Sequence, residues 1–305
     1  MWKGIGHGGS DIDTLTAGGA NVVLNGDGEG DTLIALQSAT GSILDGGAGA
    51  DILKTASAVT LIGGAGGDTF ENTSSGYSLV SYLTSEGAVE ITQSGNTFMA
   101  SGGDAGGDTF TGKFTFRGSD YGDVFRFSST PGVWGGGGDD DIIASGYQTN
   151  VYGEEGNDTI RVSGGIAYGG TGNDIITGTN TIYGEANDDH LYLLATNASG
   201  FGTVWNGATA NGGTGENTIY GSIGDDTVFM NEGEDTFITW GGRMDFLYGV
   251  GSNDTVRIIH ENVSSMDDID VVQTGSNVQL DFDGGSIKFM GLSLSALSSI
   301  EFDFA

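Results

Sequence analysis

No cysteine occurs in the 305 residues, so disulfide staples are excluded. Basic side chains are scarce too: nine Lys and Arg stand against 41 Asp and Glu, a formal net charge of −32. A surface of that sign repels phosphates, which excludes nucleic acid as a partner. Only three histidines exist, His7, His190 and His260, and they lie far apart. Neither a zinc spacing such as HExxH nor a phosphate loop appears, and no serine has the setting of a nucleophile. The expected catalytic residues are therefore none, and the chain reads as a non-enzyme. Long apolar runs are missing as well: no stretch approaches the roughly 18 to 20 residues of a membrane span. The opening MWKGIGHGGSD carries no apolar segment of the kind a Sec-type leader needs.

What is present in excess is glycine, 59 residues of it, and it is ordered. The nonapeptide GGxGxDxUx, with U a large apolar side chain, stands without mismatch at 46–54 (GGAGADILK). Close copies follow at 63–71, 135–143 and 169–177. Their glycines and sixth-position acids are Gly47, Gly49 and Asp51; Gly64, Gly66 and Asp68; Gly136, Gly138 and Asp140; and Gly170, Gly172 and Asp174. Looser copies place the acid at Asp13, Asp31, Asp108, Asp123, Asp158, Asp189, Asp226, Asp235, Asp245 and Asp254, and at 212–220 the position is Asn217. Among them, the copies at 26–34 and 153–161 and the one around Asp245 read as weak or empty sites.

This repeat is similar to that of the RTX (repeats-in-toxin) family, over most of residues 8–257. The resemblance implies an all-β fold, a right-handed parallel β-roll (β-solenoid) with calcium-binding turns. It also implies export through a type I channel in a poorly folded state, with folding on meeting calcium outside. Physical chemistry points the same way. Glycines at positions one, two and four suit a tight turn whose backbone passes close to a ligand. Calcium takes about six to eight oxygens, which carbonyls and an Asp carboxylate supply. The following apolar residue, such as Leu15, Leu33, Leu53, Phe70, Phe125, Ile142, Ile160 or Ile176, then points inward from a short strand. A plainer reading, in which Gly/Asp turns merely join strands, founders on charge: stacked carboxylates repel by about 4 kcal/mol per close pair at an effective dielectric near 20.

From Asp13 to Asp68 and from Asp123 to Asp189 the acids recur every 15 to 20 residues, one motif per full turn of the coil. From Asn217 to Asp254 the step falls to nine or ten, so motifs there occupy both edges. One ion between each neighbouring pair gives about ten calcium ions.

The expected organisation is a calcium β-roll over 1–76, a β insertion over 77–115, a second calcium roll over 116–262, and a C-terminal β-hairpin cap with a type I secretion signal over 263–305. The hairpin alternates through Val278, Leu280 and Phe282, turns at Gly284 and Gly285, and returns through Ile287 and Phe289. The insertion is expected to pack on the roll rather than to contact a partner. Phe201 and Trp205 mark an uncharged loop, with a surface polysaccharide as the alternative role. Motifs beginning at Gly8 leave two readings of the start of the chain: a fragment of a longer protein, or an end that pairs with another copy. The leading expectation is a secreted structural protein of the cell surface or extracellular matrix (S-layer, filament or biofilm type), folding and self-associating, head to tail or in a lattice, with calcium. The alternative is the C-terminal secretion module of a larger RTX enzyme or adhesin.

Overall fold

The computed structural model describes residues 4–130, 132–146, 148–197 and 205–305. Phe201 lies outside them, and the Trp205 side chain is likewise undescribed. The chain divides into two compact units, Met1–Gly146 and Tyr147–Ala305. Each is a parallel β-solenoid: a short strand on one face, a turn, a short strand on the opposing face, then a turn back.

In the first unit one face stacks Ile5–Gly9, Val23–Asp27, Ile43–Ala48, Thr60–Ala65, Ser78–Ser81, Phe114–Arg117 and Gly132–Gly137, all parallel. The opposing face stacks Thr14–Ala17, Thr32–Ala35, Ile52–Thr55, Thr69–Asn72 and Thr109–Thr111. The register explains the core. Leu15, Leu33, Leu53, Phe70 and Phe110 lie in one column and Leu24, Leu44, Leu61, Val80 and Phe116 in the facing one. Leu33, Leu53, Phe70, Leu44 and Leu61 have no solvent exposure at all. Each such side chain contributes about 2 kcal/mol by leaving water. Strands this short are held by their neighbours above and below, so no single coil is stable alone.

The segment 77–115 is threaded into this stack. Ser78–Ser81 and Thr109–Thr111 are rungs of the two faces. Between them Glu90–Ser94 and Thr97–Ser101 form an antiparallel hairpin, and the first of these strands runs parallel to Val124–Phe127, itself followed by Asp141–Ser145. Phe98 lies 5.5 to 5.6 Å, between ring centroids, from Phe110 and Phe116, so the hairpin shares the aromatic core.

The second unit repeats the plan. One face runs Asn150–Glu155, Ile166–Thr171, Thr181–Ala186, Trp205–Thr214, Asp225–Phe229, Met244–Tyr248 and Gly285–Met290. The other runs Thr159–Ser163, Ile175–Gly178, His190–Leu193, Thr218–Tyr220, Thr236–Thr239, Thr255–Ile258 and Glu301–Phe304. In-register stacking is visible outside as well, where Tyr152, Tyr168 and Tyr183 stack at 4.9 Å between centroids. The hairpin turns where its sequence predicts, with Phe282 opposite Gly285, and a third antiparallel strand, Asp270–Thr274, extends it. The acidic and aromatic ending is itself a rung: Glu301–Phe304 pairs with Thr255–Ile258, and Asp303 accepts from Arg257 Nε at 2.6 Å.

Candidate metal-binding turns

The turn at 46–51 shows how the nonapeptide works. Gly47 and Gly49 adopt φ of 95° and 132°, and the equivalent Gly64 and Gly66 adopt 88° and 150°. Side chains are excluded there by contact as well as by conformation. A Cβ on Gly49 would lie 2.0 Å from the Glu29 carbonyl oxygen, and one on Gly66 would lie 1.8 Å from that of Gly49. Gly136, Gly138, Gly170 and Gly172 share the left-handed conformation. The looser copies adopt it without glycine, through Asp27 and Glu29 ahead of Asp31, Glu154 ahead of Asp158, and Glu185 and Asn187 ahead of Asp189.

The sixth-position acids stack into ladders. In the first unit Asp13 N–H donates to Asp31 Oδ1, Asp31 to Asp51, Asp51 to Asp68 and Asp68 to Asp108, at 2.6 to 2.8 Å. A second run joins Val89 N–H to Asp123 and Asp123 N–H to Asp140. In the second unit the ladder runs from Asp158 through Asp174, Asp189, Asn217 and Asp235 to Asp254, at 2.7 to 3.0 Å. A separate ladder takes Ala208 N–H to Asp226 and Asp226 N–H to Asp245. Two ladders interleave over 208–254, as the nine- to ten-residue step predicts.

One carboxylate oxygen is thus used to join coils, and the other has a different fate. Oδ2 of Asp31, Asp51, Asp68, Asp174, Asp189 and Asp235 is buried with no hydrogen-bond donor. Beside it, a neighbouring coil offers a carbonyl: a Cβ on Gly46 would lie 2.3 Å from Asp51 Oδ2 and 2.6 Å from the Gly63 oxygen, and one on Gly169 would lie 2.1 Å from Asp174 Oδ2 and 2.7 Å from the Gly184 oxygen. Carboxylate and carbonyl oxygens therefore converge, and no N–H or O–H donates to the carboxylate Oδ2. Burial, then the crowding of like charges, pushes Asp174 up to about 8 and Asp68 and Asp189 up to about 7. An isolated buried carboxylate of this kind is costly unless a cation offsets it. Among the described residues no group of three His, Asp or Glu side chains converges on one point. The remaining ligands of an ion here must be backbone carbonyls, and an all-oxygen set suits a hard cation such as calcium. These residues fit the ion that the repeat implies.

Other predicted site residues have different partners. Asp108 Oδ2 accepts from Tyr82 Oη at 2.6 Å. Asp123 Oδ2 accepts from the Ser119 N–H at 2.6 Å and from its hydroxyl at 3.1 Å. Asp226 accepts from the N–H and hydroxyl of Ser222, and Asp245 Oδ2 from the Thr239 hydroxyl at 3.1 Å. Asp254 Oδ2 accepts from Gly251 N–H at 2.7 Å. Asn217 Nδ2 donates to Asp235 Oδ1 at 3.0 Å, and Asp13, at the first coil, is only half-buried. The hydroxyl partners were not singled out from sequence, although Gly-Ser in place of Gly-Gly at 118–119 and 221–222 was the available signal.

Four segments, residues 7–37, 134–166, 168–197 and 207–237, match the family model of the RTX calcium-binding nonapeptide repeat. The fold and these turns define the class: a calcium-binding β-roll protein carrying RTX repeats. No curated protein matches the chain. Among solved structures, extracellular lipase LipA from Serratia marcescens is similar at 15% identity and a TM-score of 0.18, over 99% of this chain and 40% of the lipase chain. The chain thus spans less than half of that protein, and a likeness at this level carries no argument about activity. No helix among the described residues is long and apolar enough to cross a membrane.

Proposed function

We propose that this chain is a secreted, non-enzymatic structural β-roll of the cell surface or extracellular matrix, of the S-layer, filament or biofilm type, which folds on calcium and self-associates in its presence. The observation that carries the reading is the ladder of buried Asp Oδ2 atoms without donors, which calcium would neutralise. Asp31, Asp51, Asp68, Asp174, Asp189 and Asp235, with carbonyls of adjacent coils, would hold the ions. Binding to the folded form alone stabilises it in proportion to the logarithm of calcium concentration, so calcium-poor cytoplasm and calcium-rich exterior give unfolded and folded chain. The acidic, aromatic C-terminal segment serves as an uncleaved type I signal while also forming the last rung.

Light scattering during calcium titration tests the assembly. Growth in particle size near millimolar calcium is the expected result, and a strictly monomeric chain under those conditions overturns the structural role while leaving calcium binding intact.

A further inference from the structure

The repeat carboxylates divide by the backbone that leads into them. Ahead of Asp51, Asp68 and Asp174, positions two and four are left-handed glycines. Asp27 and Glu29, at φ of 75° and 67°, take the same path ahead of Asp31, as do Glu185 and Asn187, at 81° and 80°, ahead of Asp189. In all five turns the Asp Oδ2 has no donor.

Ahead of Asp123 and Asp226 the path differs. None of Ser119, Tyr121, Ser222 and Gly224, which fill positions two and four, has a positive φ. The Ser119 and Ser222 N–H groups instead point into the carboxylate and donate to Oδ2. The serine hydroxyls complete the contact, Ser119 Oγ at 2.9 Å from Asp123 Oδ1 and Ser222 Oγ at 2.8 Å from Asp226 Oδ1. Asp245 is closed in another way: Gly241, at position two, has a φ of 78°, and the Thr239 hydroxyl, six residues ahead, donates to Oδ2 at 3.1 Å.

An N–H aimed at an oxygen places its positive end where a cation would have to approach, and one lone-pair direction cannot serve both. A left-handed residue at position two turns that N–H aside; serine in ordinary conformation does not. We infer that Asp123, Asp226 and Asp245 are hydroxyl-latched, metal-free turns, and that calcium is confined to turns whose second and fourth residues are left-handed or whose Oδ2 lacks a donor. Asp226 and Asp245 are successive rungs of one ladder, so the second edge of the C-terminal coils closes by internal hydrogen bonds. The C-terminal run then holds fewer ions than its motif spacing alone implies. The inference rests on the calcium reading above and deepens it.

Native mass spectrometry of the full chain in calcium separates the two. Asp174→Asn lowers the number of bound ions by at least one, whereas Asp226→Asn and Asp245→Asn leave it unchanged; loss of an ion in either of the latter overturns the latch. A wild-type chain that carries no calcium overturns the calcium reading itself. If Asp226→Asn does not fold, Ser222→Ala keeps the carboxylate: an unchanged ion count with a melting temperature lower by about 2–4 °C is expected for a lost hydrogen bond. A lost ion or an unmoved melting temperature refutes it.

Discussion

Removal of calcium at neutral pH should unfold the roll, and the size of the effect follows from the Asp ladder. Asp31, Asp51, Asp68 and Asp108 are 5% exposed or less and joined rung to rung. Adjacent strands lie about 4.8 Å apart, and unit charges at that spacing repel by about 3.5 kcal/mol at an effective dielectric of 20. Three such pairs cost about 10 kcal/mol if all four acids are ionised, against a total stability of about 5–15 kcal/mol for an ordinary domain. Without a cation the chain has two escapes, unfolding or protonation. Burial raises Asp68 from 3.8 to about 7 and Asp174 to about 8, so the metal-free fold binds protons that the unfolded chain releases. Stability of the metal-free form is then greatest below about pH 4 and falls as pH rises through about 8. Circular dichroism in chelator should show an unfolded chain at pH 7.5 and a recovered β signal near pH 4. A full β signal with a cooperative melt in chelator at pH 7.5 would refute the reasoning, and so would a metal-free melting temperature that climbs between pH 4 and 8.

Two substitutions probe the turn and the core. Gly66→Ala sets a Cβ 1.8 Å from the Gly49 carbonyl oxygen at a φ of 150°, and should cost about 3 kcal/mol or more in urea titration with calcium present. Gly19→Ala meets nothing within 4 Å and should change stability by less than about 0.5 kcal/mol, so equal effects at the two positions would discredit the close-stacking account. Leu53→Ala removes a fully buried side chain between Leu33 and Phe70, and the same titration should show a loss of about 2–5 kcal/mol.

Much of this was legible in sequence because the repeat is a local code. Position six names the acid, position eight names the inward residue, and the step between motifs states whether one edge or both carry them. Leu33, Leu53 and Phe70 are buried where that code puts them, and the interleaved ladders through Asp226 and Asp235 follow from the shortened step. Composition did not show the backbone of the looser copies: Asp27, Glu29 and Glu154 break the glycine pattern yet take the same left-handed turn. The segment 77–115 breaks the period, and only its register shows that its outer strands are rungs of both faces. The last five residues were legible as acidic and aromatic, but their pairing with Thr255–Ile258 spans more than 40 residues of chain.

By itself, the sequence determined the turn chemistry, the inward column and the all-oxygen ligand class, because each depends on residues within nine positions of one another. The tertiary structure alone decided which carboxylate oxygens lack a donor. Along the ladders an Asp lends one oxygen to the N–H of another coil, 15 to 40 residues away, and whether its second oxygen meets a hydroxyl, as at Asp108 and Asp245, or a neighbouring carbonyl depends on how the coils stack.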